Sequence, residues 1–166
     1  ARIYGDLYVF DPEAARAAAF ASARLIAAEL RNAGITVNCT PVLDVPEAGA
    51  HDIIGDRAFS FDPDIVSDLG RAVVEGTLAG GVLPVIKHVP GHGRARADSH
   101  LALPEIHASP EELIAVDFRP FMALRHAPLA MTAHVLLPAF DEERPASVSP
   151  VIMSEVIREL IGLTGL

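Results

Sequence analysis

The chain has one cysteine, Cys39, no tryptophan and only two tyrosines. A single thiol closes no intrachain disulfide, so the fold must rest on its core, and the scarcity of cysteine fits a reducing, cytoplasmic setting. Positive charge is also short: 13 Lys and Arg stand against 22 Asp and Glu, a net charge of -9, and the basic residues form no cluster. That argues against a nucleic-acid partner, which is held by clustered cations that displace counterions. No apolar run reaches the roughly 18 to 20 residues needed to span a bilayer, so no membrane partner is expected. The Gly-rich signatures of dinucleotide and P-loop sites are missing as well.

With 51% hydrophobic residues in 166, the chain can fill the core of one ordinary domain. Its opening, Ala1-Arg2-Ile3-Tyr4, is neither an initiator methionine nor a signal peptide, and Ile161-Gly162-Leu163-Thr164-Gly165-Leu166 reads as a helix stop followed by the first residues of a strand. We therefore expect residues 1–166 to be the central fragment of one larger catalytic domain.

Four segments pair a capping residue with proline at the first helical position: Asp11-Pro12, Asp62-Pro63, Ser109-Pro110 and Ser149-Pro150. The cap oxygen accepts an orphan N–H, and proline has no N–H to leave unpaired. Glu112, three residues after Ser109, completes a capping box. Phe20, Ala23, Ala27 and Leu30 recur at helical spacing in the first of these helices, and Pro120 should kink or split the third. Between the helices, Ile35 to Val45, Val82 to Val89 and Leu129 to Leu137 read as strands buried on both faces, with Cys39 a small buried hydrophobe in the first. Alternating strands and helices imply a parallel sheet, and the polar residues gather at the strand ends. Chemistry at the carboxyl ends of the strands fits both (β/α)8 barrels and doubly wound sheets, and the missing Gly-rich signatures favour the former: the expected fold is α/β, a partial TIM (β/α)8 barrel.

Chemistry is densest in Lys87-His88-Val89-Pro90-Gly91-His92-Gly93, followed by Asp98-Ser99-His100. Asp98 and His100 are two residues apart and would point the same way on an extended segment, so the carboxylate could fix the imidazole tautomer for acid/base work. Lys87, His88 and Arg57 could donate to substrate hydroxyls. His88, His92, Asp98 and His100 are also ligand types that zinc accepts, in a spacing that matches no recognised zinc signature; a metal-dependent hydrolase is the competing reading. For the remaining residues the expectations are structural. His92 shapes its loop by hydrogen bonding, Asp44 closes its strand and orders the Arg57 loop, and His134 either lines the pocket or bonds internally. His51, His107 and His126 sit on the surface.

Taken together, Lys87 to Gly93, Asp98-Ser99-His100 and Leu103-Pro104 resemble the signature of family 3 glycoside hydrolases of the β-N-acetylglucosaminidase type, which act on peptidoglycan fragments. Thr40-Pro41-Val42-Leu43-Asp44-Val45, Ile54-Gly55-Asp56-Arg57-Ala58-Phe59, Met131-Thr132-Ala133-His134-Val135 and Arg144-Pro145-Ala146-Ser147 extend the resemblance across nearly the whole chain. It implies a retaining, two-step hydrolysis without metal or other cofactor, with His100 as acid/base assisted by Asp98 and with Arg57, Lys87 and His88 binding an N-acetylglucosamine ring. It also implies a nucleophilic aspartate just beyond Leu166. On this reading the 166 residues alone are inactive and expose barrel edges open to self-association; a non-catalytic sugar-binding remnant is a third reading.

Overall fold

Each of the four expected caps starts a helix in the computed structural model, which describes residues 1–49, 54–95 and 103–166. The Asp11 carboxylate accepts the Ala14 N–H at 3.0 Å to open α2 (Pro12–Asn32), and Asp62 accepts the Asp64 N–H at 2.8 Å to open α3 (Pro63–Ala79). Ser109 and Glu112 form the reciprocal capping box of α4 (Pro110–Glu112). Ser149 Oγ accepts the Ile152 N–H at 3.1 Å at the head of a terminal helix, Ile152–Ile161, which Gly162 closes in the left-handed region at φ 87°. The third helix does break near Pro120: α4 runs into a wide turn, Leu113–Asp117, and restarts as α5 (Arg119–Ala123). The sequence reading did not foresee α1 (Arg2–Phe10), which precedes α2.

On α2 the buried stripe is Ala15, Ala19, Ala23 and Ala27, whereas Phe20 and Leu30 are only half-buried. The reason is proximity. A Cβ on Gly76 of α3 would stand 2.3 Å from the Phe20 carbonyl oxygen, so the two helix backbones meet across small residues and the larger side chains are pushed to the flanks.

Three parallel strands lie in the order β1 (Val37–Asn38), β2 (Leu83–Val89), β3 (Leu129–Thr132). Val37 pairs with Leu83, and Val85, Ile86 and Lys87 pair with Leu129, Ala130 and Met131. The expected strands are longer than the observed ladders. After Asn38 the chain follows β2 only through single contacts, Lys87 N to Pro41 O at 3.1 Å and Leu43 N to Lys87 O at 2.7 Å, because Pro41 has no N–H to extend the ladder. Past Ala133, whose N–H still bonds Val89 O at 2.6 Å, the chain leaves β2, and Leu136 instead exchanges backbone bonds with Pro104 and Ile106. Nor are the strands buried throughout: Val37 and Leu83 are 41% and 43% exposed at the β1 edge, and Cys39 beside them is exposed rather than buried.

The core lies between sheet and helices. Ile86 at the centre of β2, Leu43, Leu69 of α3, and Phe118 and Phe121 around the helix break are all fully buried. Among the described residues no helix is long and apolar enough to cross a membrane. Because Ile86 sits at the middle of the sheet, replacing it with alanine leaves a cavity that its neighbours on both sides cannot close. Ile86→Ala is expected to cost about 2 to 5 kcal/mol in urea unfolding of the protein as its gene encodes it; a loss below about 1 kcal/mol would mean that the sheet centre is not the core.

Candidate active site

The polar residues converge at the carboxyl end of the sheet. Asp44 follows β1 and is fully buried, an expensive location for a carboxylate unless donors surround it. Its Oδ2 lies 2.7 Å from His88 Nδ1, and its Oδ1 accepts the His92 N–H at 2.8 Å and, at a longer 3.4 Å, the His88 N–H. Asp44 thus directs its side-chain bonds to the end of β2 and the loop that follows it. It holds the Lys87–Gly93 segment.

That segment needs its glycine for the same close approach. A Cβ on Gly93 would fall 2.0 Å from the Val45 carbonyl oxygen, so the loop backbone lies directly against the residue after Asp44. The peptides Thr40–Pro41, Lys87–His88 and Val89–Pro90 are cis. His92 is 5% exposed and shapes the loop through its amide; its ring Nδ1 has no partner among the described residues, and the ring lies 5.8 Å from that of His88. Burial lowers the His92 pKa, the Asp44 charge opposes that shift, and the charges of His88 and Arg57 reinforce it. Arg57 is thus electrostatically within reach of the same cluster.

Arg57 comes from a single 3-10 turn, Gly55–Arg57, and together with Lys87 it lines a cavity of about 350 Å³ that also takes in Asn38, Thr40 and Thr77. His88, the residue after Lys87, is not part of that lining; its side chain is 19% exposed. His134, just past β3, is exposed, with Nδ1 2.7 Å from Ser147 Oγ. His107 and His126 are on the surface as expected. Asp98 and His100, the expected acid/base pair, lie outside the described residues, as does His51. Among the described residues no group of three or more His, Cys, Asp or Glu side chains is placed to hold a metal ion.

A second anchor was not foreseen. Arg94, the residue after Gly93, donates from Nε to Asp117 Oδ2 at 2.7 Å and from Nη1 to Glu47 Oε1 at 2.6 Å, tying the loop to the helix break and to the chain after Asp44. Asp117 is 2% exposed, and its Oδ1 is buried without a partner among the described residues. Burial pushes its pKa up from 3.8 to about 6, against the opposing hydrogen bond and charge of Arg94.

These features describe a parallel α/β arc with basic side chains and a buried Asp–His pair at the carboxyl ends of its strands. Comparison with known proteins agrees: residues 9–166 match the glycosyl hydrolase family 3 N-terminal domain, and the chain belongs to that family. It is 43% identical over 155 residues to a β-hexosaminidase of Methylococcus capsulatus, covering 92% of this chain and 46% of that protein. Among solved structures, NagZ from Neisseria gonorrhoeae in complex with N-trifluoroacetyl-D-glucosamine superposes with a TM-score of 0.93 at 37% identity, over 99% of this chain and 49% of that one. A family 3 β-N-acetylglucosaminidase from Paenibacillus gives 0.87 at 35% identity, over 91% of this chain and 29% of that one. The chain spans about half the length of the curated relatives it matches. The three strands are accordingly an arc of a TIM-barrel-like fold, as the strand and helix alternation implied.

Asp117 makes stability depend on pH. Its folded pKa lies above its ordinary value, so the folded state holds the proton more tightly; the resulting stability is complete below about pH 4 and is lost as pH rises through about 6. Relative to Asp117→Asn, which does not titrate, the unmutated protein should lose about 2 kcal/mol between about pH 4.5 and pH 7 in urea unfolding. Parallel pH curves for the two proteins would show that Asp117 keeps an ordinary pKa.

Proposed function

We propose that the protein is a retaining β-N-acetylglucosaminidase that removes terminal N-acetylglucosamine from peptidoglycan-derived sugars in the cytoplasm. The observation that carries this reading is the pairing of Lys87 and His88 at the carboxyl end of the central strand, with His88 held by a buried carboxylate and Lys87 lining the same cavity as Arg57. Family membership, and a β-hexosaminidase as a relative over nearly the whole chain, support the choice of sugar.

In the mechanism we infer, Arg57, Lys87 and His88 hold the ring hydroxyls while His100, oriented by Asp98, gives its proton to the leaving glycosidic oxygen. An aspartate from outside these 166 residues attacks C1, the C1–O bond breaks and a glycosyl ester forms. His100 then takes a proton from water, whose oxygen attacks C1 and releases the sugar and the aspartate. The 166 residues are, on this reading, the central part of one barrel domain, inactive without the nucleophile. The exposed Val37 and Leu83 at the β1 edge favour self-association of that isolated part.

His100→Ala in the protein as its gene encodes it should lower turnover of a chromogenic N-acetyl-β-glucosaminide by about 10²- to 10⁴-fold. A near-unchanged rate would remove His100 from the mechanism, and loss of the remaining activity on chelation, with stoichiometric zinc in the purified protein, would favour the metal-dependent hydrolase instead.

A further inference from the structure

Asp44 has no role in the mechanism above, yet it is a fully buried carboxylate in contact with a proposed substrate-binding residue. We infer that Asp44 is a positioning residue which fixes the tautomer of His88 and so sets the direction of its hydrogen bond to the sugar. The inference rests on the assignment of His88 to sugar binding.

The argument is one of donor and acceptor capacity. A carboxylate only accepts, and Asp44 Oδ1 is taken by the amide of His92 at 2.8 Å, with that of His88 at 3.4 Å. Oδ2 faces His88 Nδ1 at 2.7 Å, so Nδ1 must carry the hydrogen. In the neutral ring Nε2 is then left as an acceptor. The imidazole remains 19% exposed, and no partner for Nε2 exists among the described residues. A ring hydroxyl therefore donates into Nε2, while Lys87 and Arg57, which can only donate, serve hydroxyl or carbonyl oxygens as acceptors. The site would read a sugar by one acceptor and two cationic donors, and the acceptor exists only because of Asp44. The bond from the His92 N–H to Oδ1 fixes the carboxylate, so that Oδ2 stays turned toward the ring.

Asp44→Asn separates this role from a merely structural one. The amide oxygen can still accept the His92 N–H, whereas the NH₂ now faces His88 Nδ1 and donates to it, which moves the ring hydrogen to Nε2 and turns the sugar-facing atom into a donor. Nitrogen-15 NMR of selectively labelled histidine, at a pH where the ring is neutral, should show His88 protonated at Nδ1 in the unmutated protein and at Nε2 in Asp44→Asn. KM for the chromogenic N-acetyl-β-glucosaminide should rise about 10-fold, with kcat changed less than about 3-fold and the melting temperature close to that of the parent. Nε2 protonation in the unmutated protein, or an unchanged KM once the tautomer has switched, would overturn the proposal. If Asp44→Asn does not fold, the tautomer of the unmutated protein decides alone. Absence of turnover in the unmutated protein would instead count against the glycosidase reading, with the tautomer still measured independently.

Discussion

The carboxylate of Asp44 is the constraint on which the rest of the site depends. Moving an ion of that kind out of water costs several kcal/mol, and only donors placed around it offset the loss. Here the donors all come from one short stretch, the amide and ring of His88 and the amide of His92. The chain after β1 and the loop after β2 thus cannot move apart without stranding a charge in the core. The close approach of Gly93 to the Val45 carbonyl is the steric counterpart of that electrostatic tie, since any side chain at 93 would pry the two segments apart and lengthen the bonds to Asp44.

Arg94 continues the same logic at the far end of the loop, but with a different balance. Asp44 has both oxygens occupied by N–H groups. Asp117 shares one oxygen with Arg94, and the other is buried without a partner among the described residues. Burial pushes the pKa of Asp117 up to about 6 against the opposing bond from Arg94. Between the two anchors, residues 88 to 94 are fixed against three separate parts of the chain: the segment after β1, the helix break, and the end of β3, where the Ala133 N–H bonds Val89 O at 2.6 Å. Such a loop can present side chains with the accuracy of a strand while bending as a strand cannot.

Much of this was legible in the residues. The proline-bearing caps marked helix starts, because a capping oxygen followed by a residue without an N–H suits few other places, and the Lys87–Gly93 cluster stood out as titratable groups after an apolar run. Other features required tertiary context. The strand after Gly34 reads as continuous, yet Pro41 interrupts its ladder, and the alanine stripe of α2 outranks Phe20 only because Gly76 lets a second helix come close. The two anchoring acids did leave a trace. Asp44 ends a run of apolar residues, and Asp117 falls at helical spacing between Leu113 and Phe121, both fully buried, where only an apolar residue or a paired charge is tolerated. A lone carboxylate at a core position is a prediction of a buried partner, although it does not say which one.

That difference between finding a charge and finding its partner bears on the acid/base pair as well. Asp98 and His100 were joined by their two-residue spacing, a local argument. Asp44 and His88 are 44 positions apart and are joined by the sheet. Both pairs match a carboxylate to an imidazole, but in the proposed retaining hydrolysis only His100 would need to change protonation. A histidine that must give and take a proton gains from a carboxylate that stabilises its cation, whereas a histidine that only binds a hydroxyl gains from a carboxylate that holds one tautomer still. In the proposed mechanism the Asp98–His100 pair would keep a proton mobile, whereas Asp44, fully buried and bonded by the His92 amide as well, would keep one in place on His88.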